Sequence, residues 1–405
     1  MQNKALPSKS FIENFSPKLL WACLFAITLL THASYIDNGF TWLDHGDIEQ
    51  GRAILPIADL HKAFTLPFGE TGFYRPLVTI FHSLDFAIYG DWAPGFHLTN
   101  VLLHCAAAVC AVLFISVCFT LSIRESLFAA LIFAIHPLSW LPVGAISYRP
   151  ELLAASLTFL TVYFHIKARE TNLPGLVVAT QLCFLFALFS KETPLFWILM
   201  LITVSEIVNF KNSNFPGRTT NRKKIKSAGK KKMLADKLSK SAVFLLCGEI
   251  IIIGIYAILR TAAVPDIWHT TASTLDPGAA IGTRMHVLGL RFFELFSPLK
   301  PAMSDATSIQ GLFSISSLMT IALLFGLAVL FVRSGLDTRI KRVISFSAIA
   351  LAPALNILPL PRFSSPHYSY FAAIALGVIV VQLLKNSSRW SGAQQRLFQF
   401  AIGSW

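Results

Sequence analysis

Ten apolar stretches, each close to the length needed to cross a bilayer, constrain this chain more than any motif does. A span takes roughly 20 mostly apolar residues. The stretches lie at about 18–36, 97–120, 126–143, 150–166, 174–190, 194–210, 241–260, 309–332, 343–360 and 367–384. A soluble domain has about 25% charged residues; here the fraction is 14%, with 54% hydrophobic. Such a chain cannot cover itself with polar surface. The expected fold is an all-α polytopic membrane protein of about ten transmembrane helices, eleven at most.

Charge sets the expected orientation. Alternating the spans from a cytoplasmic N-terminus puts 24 of the 34 Lys and Arg in the inner segments and 10 in the outer ones. This agrees with the positive-inside rule. The net charge of +13 therefore reads as a topology signal, and nucleic acid is not an expected partner. The basic loop 211–240 dominates the bias and divides the chain. Before it lies a six-span module, 1–210, with a first outer loop at 37–96. After it lies a four-span module, 241–405, with an outer loop at 261–308. The basic loop itself reads as a solvated cytoplasmic segment, with anionic lipid headgroups as its natural contact.

At the N-terminus, Lys4, Lys9 and Lys18 precede a short apolar run, and Thr31 and Ala33 could form a small-x-small cleavage site. The basic leader is long and the apolar character continues to Ile36, which favours a retained first helix. Cys23, Cys105, Cys110, Cys118, Cys183 and Cys247 all fall in apolar stretches, so free thiols are expected, with no disulfide framework and no structural zinc site. No internal repeat of 20–50 residues is visible. In the outer loops, PIADLHKAFTLPF and RPLVTIFHSLDFAIYG mix apolar and polar residues and read as amphipathic helices at the membrane surface. RMHVLGLRFFELFSPL carries Arg284, Arg291 and Glu294 and reads as interfacial or re-entrant.

Ionisable residues at membrane depth are rare and tend to be functional. Those of this chain gather at the outer ends of helices. Asp44, His45 and Asp47 follow the first span, and Tyr74 and Arg75 lie in FYRPL. His97, Asn100 and His104 share one helix face by their spacing of three and four. His136 precedes Pro137 in the third span; Arg149 and Glu151 open the fourth; Lys191 and Glu192 join the fifth and sixth. Arg362, His367, Tyr368 and Tyr370 surround the start of the last. Each has a structural alternative: cations snorkel to headgroups, carboxylates cap helices, and His and Asn hydrogen-bond between helices. Together they suggest a site for an anionic, partly lipidic ligand.

The ordered set FTWLDH, FYRPL, GFHLTNVLLH, AIHPLSWLPVGAISYRPELLA, SKET and PALNILPLP with YSYFAAIALG resembles the GT-C superfamily of integral-membrane glycosyltransferases. Within it, the set is most similar to the membrane region of the tetratricopeptide-repeat-containing protein O-mannosyltransferases and their bacterial relatives. The resemblance implies an inverting, hexosyl- or mannosyl-type transfer from a polyprenyl-phosphate-linked sugar to an acceptor hydroxyl on the outer face. For bacterial relatives that means a cytoplasmic (inner) membrane enzyme facing the periplasm.

By motif position Asp44 is the expected base, with Asp47 second. Arg75, Arg149, Lys191 and Arg362 are the expected donor-phosphate ligands. His45, Tyr74, His97, Asn100, His104, His136, Glu192 and Tyr368 are expected around the substrates. A carboxylate within reach of the acceptor O–H can take its proton, and a departing lipid phosphate needs pre-placed cations. No metal-ligand cluster or cofactor motif is visible, although the chemistry leaves room for a divalent ion beside the phosphate.

The sequence also departs from the family pattern. Asp44 is followed by His45 where relatives often have a second acid, and Pro366-His367 stands where they often have an acidic-Arg pair. No tetratricopeptide repeats occur in the 405 residues, so the acceptor stays open among protein, lipid and glycan. A transporter or flippase for an anionic lipid or sugar is the alternative; the midspan Glu249 is the main feature on its side.

Overall fold

The computed structural model describes residues 16–69, 71–214, 224–264, 276–297, 299, 309–332, 338–355 and 364–386, with side chains masked at 205–241. Every regular element among them is helical. In chain order these are α1 (Pro17–His32), α2 (Pro76–Tyr89), α3 (Ala93–Cys118), α4 (Ile123–Ile135), α5 (Trp140–Gly144), α6 (Arg149–Thr171) and α7 (Pro174–Ser190). They continue as α8 (Thr193–Asn214), α9 (Lys224–Ala263), α10 (Pro277–Glu294), α11 (Ile315–Val332), α12 (Thr338–Leu351) and α13 (Ile374–Asn386). Five helical segments are long and apolar enough to cross a membrane: Pro17–Tyr35, Ala93–Cys118, Ala242–Ala263, Ile315–Val332 and Pro366–Lys385. The chain is an all-α, polytopic integral membrane protein.

The expected third span is broken. α4 and the segment Pro137–Gly144 meet at a bend of 57°. Pro137 cannot donate a backbone N–H, and it pushes His136 into extended geometry (φ −63°, ψ 135°). The His136 ring then caps the break, its Nδ1 accepting from Leu138 N at 3.1 Å. Shorter apolar helices, Pro76–Tyr89, Pro174–Ser190 and Thr193–Val204, accompany the long ones.

The helices form two compact units, each discontinuous in sequence. One comprises 1–38, 97–148 and 270–405; the other comprises 39–96 and 149–269. In the first, α4 packs between α1 and α13, and α10 against α11. Gly377 of α13 lies so close to the Ala129 carbonyl of α4 that a methyl group there would collide with backbone, the small-residue contact common between membrane helices. α4 opens with a capping box, Ser122 and Glu125 each satisfying the other's backbone N–H.

In the second unit, α6 and α7 form the main antiparallel pair, with α8 and α9 against them and α2 against α7. Its apolar core gathers Tyr74, Phe184, Leu188, Phe189, Ile198 and Tyr256. The face of α2 that carries Val78, His82 and Asp85 is buried. α10 has a buried face as well, with Arg291 fully buried and in an ion pair with Glu294 at 2.9 Å.

Candidate active site

The second unit holds most of the charged residues singled out above. Its first loop turns sharply after the first span. Trp42 takes the left-handed conformation (φ 50°), and Asp44 then leads into a single π-helical turn, His45–Glu49. Asp44 is fully buried. Its Oδ2 accepts from the Thr41 backbone N–H at 3.2 Å and from the Thr41 hydroxyl at 3.1 Å. These bonds fix the carboxylate's orientation. Asp47 is also buried and faces Arg52 at 3.7 Å. The Arg52 guanidinium lies over Gly46, where any Cβ would collide with it. His45, by contrast, is exposed and pairs with Glu49 at 2.5 Å.

The tripeptide Tyr-Arg-Pro occurs twice, and both copies place the arginine at a helix start. Pro76 opens α2 and holds Arg75 outside helical geometry (φ −137°, ψ 59°); α6 begins at Arg149-Pro150. Each arginine meets a carboxylate distant in sequence. Arg149 is wholly buried and meets Asp85 of α2 at 2.7 Å, while its Nη2 also donates to the Phe96 carbonyl at 3.1 Å. The charges of Asp85 and Asp44 both act on it. Arg75 meets Glu192 at 3.2 Å and stacks over the Phe73 ring at 3.9 Å.

Lys191 is extended (φ −164°, ψ 159°) between α7 and α8, so that Lys191 and Glu192 both project from the joint. Lys191 is hydrogen-bonded to Glu151 of α6, and both are nearly buried. Burial pushes the Lys191 ammonium below its ordinary value against the pull of Glu151. At Glu192 burial alone would raise the carboxyl; the Arg75 and Lys191 charges outweigh it and hold the pKa down. Tyr74 donates to the Phe64 carbonyl at 3.0 Å, and burial lifts its phenol to about 12. It stays protonated at any physiological pH.

The other expected site residues lie in the first unit, on buried polar contacts. Asn100 donates to the Ala145 carbonyl at 3.3 Å. His104 bonds the Ala134 carbonyl at 2.9 Å and the Tyr370 hydroxyl at 2.8 Å, and its ring stands edge-on to His32 at 4.7 Å. The His136 Nε2 bonds the Leu295 carbonyl at 3.1 Å. His97 is fully buried. Tyr368 is buried beside His367, with ring centroids at 4.3 Å, and His367 in turn stacks on Tyr148 at 4.6 Å. Arg362 lies outside the described residues. Among the described residues no group of three or more His, Cys, Asp or Glu could hold a metal ion.

Sequence reasoning passed over Asp85, Tyr256 and Arg260 of the second unit. Asp85 had a visible signal, as a carboxylate inside the apolar run FHSLDFAIYG. Arg260 did not: an arginine at the end of an apolar stretch reads as a snorkelling residue.

A helical integral membrane protein with buried carboxylates paired to basic side chains, Asp85 with Arg149 and Glu151 with Lys191, defines the class. Its relatives narrow that class. The chain is 32% identical over 198 residues to protein O-mannosyl-transferase Tmtc2 of Drosophila melanogaster, covering 43% of this chain and 20% of that protein. It is 35% identical over 116 residues to human protein O-mannosyl-transferase TMTC4, covering 25% and 16%. To Drosophila melanogaster protein O-mannosyl-transferase Tmtc1 it is 27% identical over 185 residues, covering 43% and 21%. The chain thus spans about a fifth of the length of these curated relatives. No family model matches it. The expected similarity to this group of O-mannosyltransferases is therefore present.

Proposed function

We propose that the chain is an inverting glycosyltransferase. It moves a sugar from a polyprenyl-phosphate donor to an acceptor hydroxyl at the membrane face opposite the basic loop. The observation that carries this reading is Asp44: a buried carboxylate, oriented by Thr41, under the charge of an Asp85-anchored Arg149. The O-mannosyltransferase relatives support the same chemistry.

Asp44 takes the proton of the acceptor O–H as that oxygen bonds to the anomeric carbon from the side opposite the leaving group. The bond from the anomeric carbon to the phosphate oxygen breaks, and its electron pair leaves with the lipid phosphate. One displacement inverts the anomeric centre. No acid is needed for a phosphate leaving group, but its growing charge needs pre-placed cations. Arg75 and Lys191 answer to that role, each held in place by a carboxylate. Arg149 acts on the base side, because its nearest charges are Asp85 and Asp44. Asp47, tied to Arg52, is the second candidate base. A divalent ion at the phosphate is compatible with this scheme but is not required by it.

One observation favours a second reading, a transporter or flippase. His165 of α6 and Glu249 of α9 form a buried pair at 3.0 Å within the apolar part of the second unit, the kind of group proton-coupled carriers use. Purified protein in liposomes with a panel of polyprenyl-phosphate sugars separates the two. Release of lipid phosphate together with a glycosylated acceptor supports the transferase. Movement of the intact donor between leaflets without its cleavage supports the carrier.

A further inference from the structure

The corner around Glu192 in the second unit leaves hydrogen-bonding capacity unused. Three buried side-chain atoms there have no hydrogen-bond partner among the described residues, Arg75 Nε, Thr193 Oγ1 and Glu192 Oε1, and the Tyr256 hydroxyl beside them is met by Arg260. Buried polar atoms are nearly always paired, so several unpaired in one place point to a missing ligand. Two of the three can donate.

The charges of the corner point the same way. Arg75 with Glu192, and Lys191 with Glu151, cancel in pairs. Arg260 is one helical turn beyond Tyr256 on α9 and so shares its face. The charges of Glu192, Arg260 and Arg75 all act on the Tyr256 hydroxyl. Arg260 is half-buried, and no carboxylate among the described residues forms an ion pair with it. Among the described residues the corner therefore holds one net positive charge, with donors to spare. Tyr74, Phe189 and Tyr256 pack ring on ring beside it, with centroids about 6 Å apart. A singly charged oxyanion attached to an apolar body fits this arrangement; a neutral sugar would leave the Arg260 charge unanswered, and a free dianion would exceed it.

We infer that Arg260, with the Tyr256 hydroxyl and Arg75 Nε, is the seat of the donor's phosphodiester, the group that ties sugar to lipid. This rests on the reading above that the donor is a lipid-linked sugar phosphate. Arg260 supplies the unmatched charge, and the two donors fix the non-bridging oxygens. An arginine that merely snorkelled would need neither neighbour.

Direct binding of a fluorescent farnesyl methyl phosphodiester to purified protein tests this apart from turnover. Arg260→Gln is expected to weaken binding about ten- to hundredfold, as loss of a charged hydrogen-bond partner does. Arg260→Lys is expected to restore part of the loss, and Tyr256→Phe to weaken binding by a smaller factor. Farnesol, which lacks the phosphate, is expected to bind all variants alike. Unchanged phosphodiester binding in Arg260→Gln overturns the inference; if wild type still turns over donor, the transferase reading stands without it. Loss of binding in Arg260→Gln with no turnover of any donor by wild type supports the seat and removes the transferase. Displacement of the probe by phosphatidylglycerol or inorganic phosphate as readily as by unlabelled probe would mark a headgroup contact or a free-phosphate site, and would overturn the assignment to the donor.

Discussion

Taking the guanidinium of Arg149 wholly out of water is tolerable because Asp85 faces it at 2.7 Å. Removing one partner of such a pair strands a buried charge and costs about 3–5 kcal/mol. Asp85→Asn is therefore expected to lower the thermal unfolding midpoint in detergent sharply. Asp85→Leu combined with Arg149→Met should recover part of that loss, a non-additivity that a double-mutant cycle reads directly. Glu192 titrates in a defined direction. Its folded pKa is held below the ordinary 4.5 by Arg75 and Lys191, so its pairing adds stability above pH 4.5 and loses it as pH falls through the depressed value. Glu192→Gln is expected to destabilise the protein at pH 7 and to differ less from wild type as the pH drops below 4.5, as unfolding scans across pH would show. At this scale the charged members were legible and their partners were not. Arg75 and Arg149 stand out as cations in greasy surroundings. That they meet Glu192 and Asp85 depends on contacts across 117 and 64 positions, which no local pattern encodes.

Local rules account for the elements that carry these residues. Both Tyr-Arg-Pro copies put arginine at a helix start, with Arg75 held outside helical geometry by Pro76, and the extended Lys191 separates α7 from α8. In the π-helical turn after Asp44, the flexible end of Arg52 occupies the space a side chain at Gly46 would take. Gly46→Ala is expected to push the flexible end of Arg52 off Asp47 and to cost no more than about 1 kcal/mol, the usual worth of a partly exposed ion pair, again measured by unfolding. If Asp44 is the base, this variant should lower turnover less than loss of the carboxylate itself. Apolar length predicted most helices within a few residues. It missed the break at His136-Pro137, although the proline that causes it was in plain view, because hydropathy is blind to backbone donors. It marked α2 as an amphipathic helix of the first outer loop. Its buried stripe of Val78, Thr79, His82 and Asp85 is mostly polar, so the buried face is marked by packing and pairing more than by hydropathy.

For the molecule as a whole, the apolar stretches fix an all-α membrane protein, and the coordinates and the relatives agree with that. The sidedness read from lysine and arginine counts makes its own prediction. Single cysteines at exposed positions of the first loop, such as Gln50, and of the basic loop should react with an impermeant thiol reagent from opposite sides of sealed vesicles. Labelling of both from one side would contradict the proposed orientation. The central claim is that Asp44 takes the acceptor's proton. Its most direct test is turnover of a polyprenyl-phosphate sugar by reconstituted wild type, Asp44→Asn and Asp47→Asn, with donor binding measured alongside. The expected result is turnover by wild type, a fall of at least about a hundredfold in Asp44→Asn with donor binding kept, and a smaller fall in Asp47→Asn. Wild-type turnover surviving in Asp44→Asn would contradict the claim.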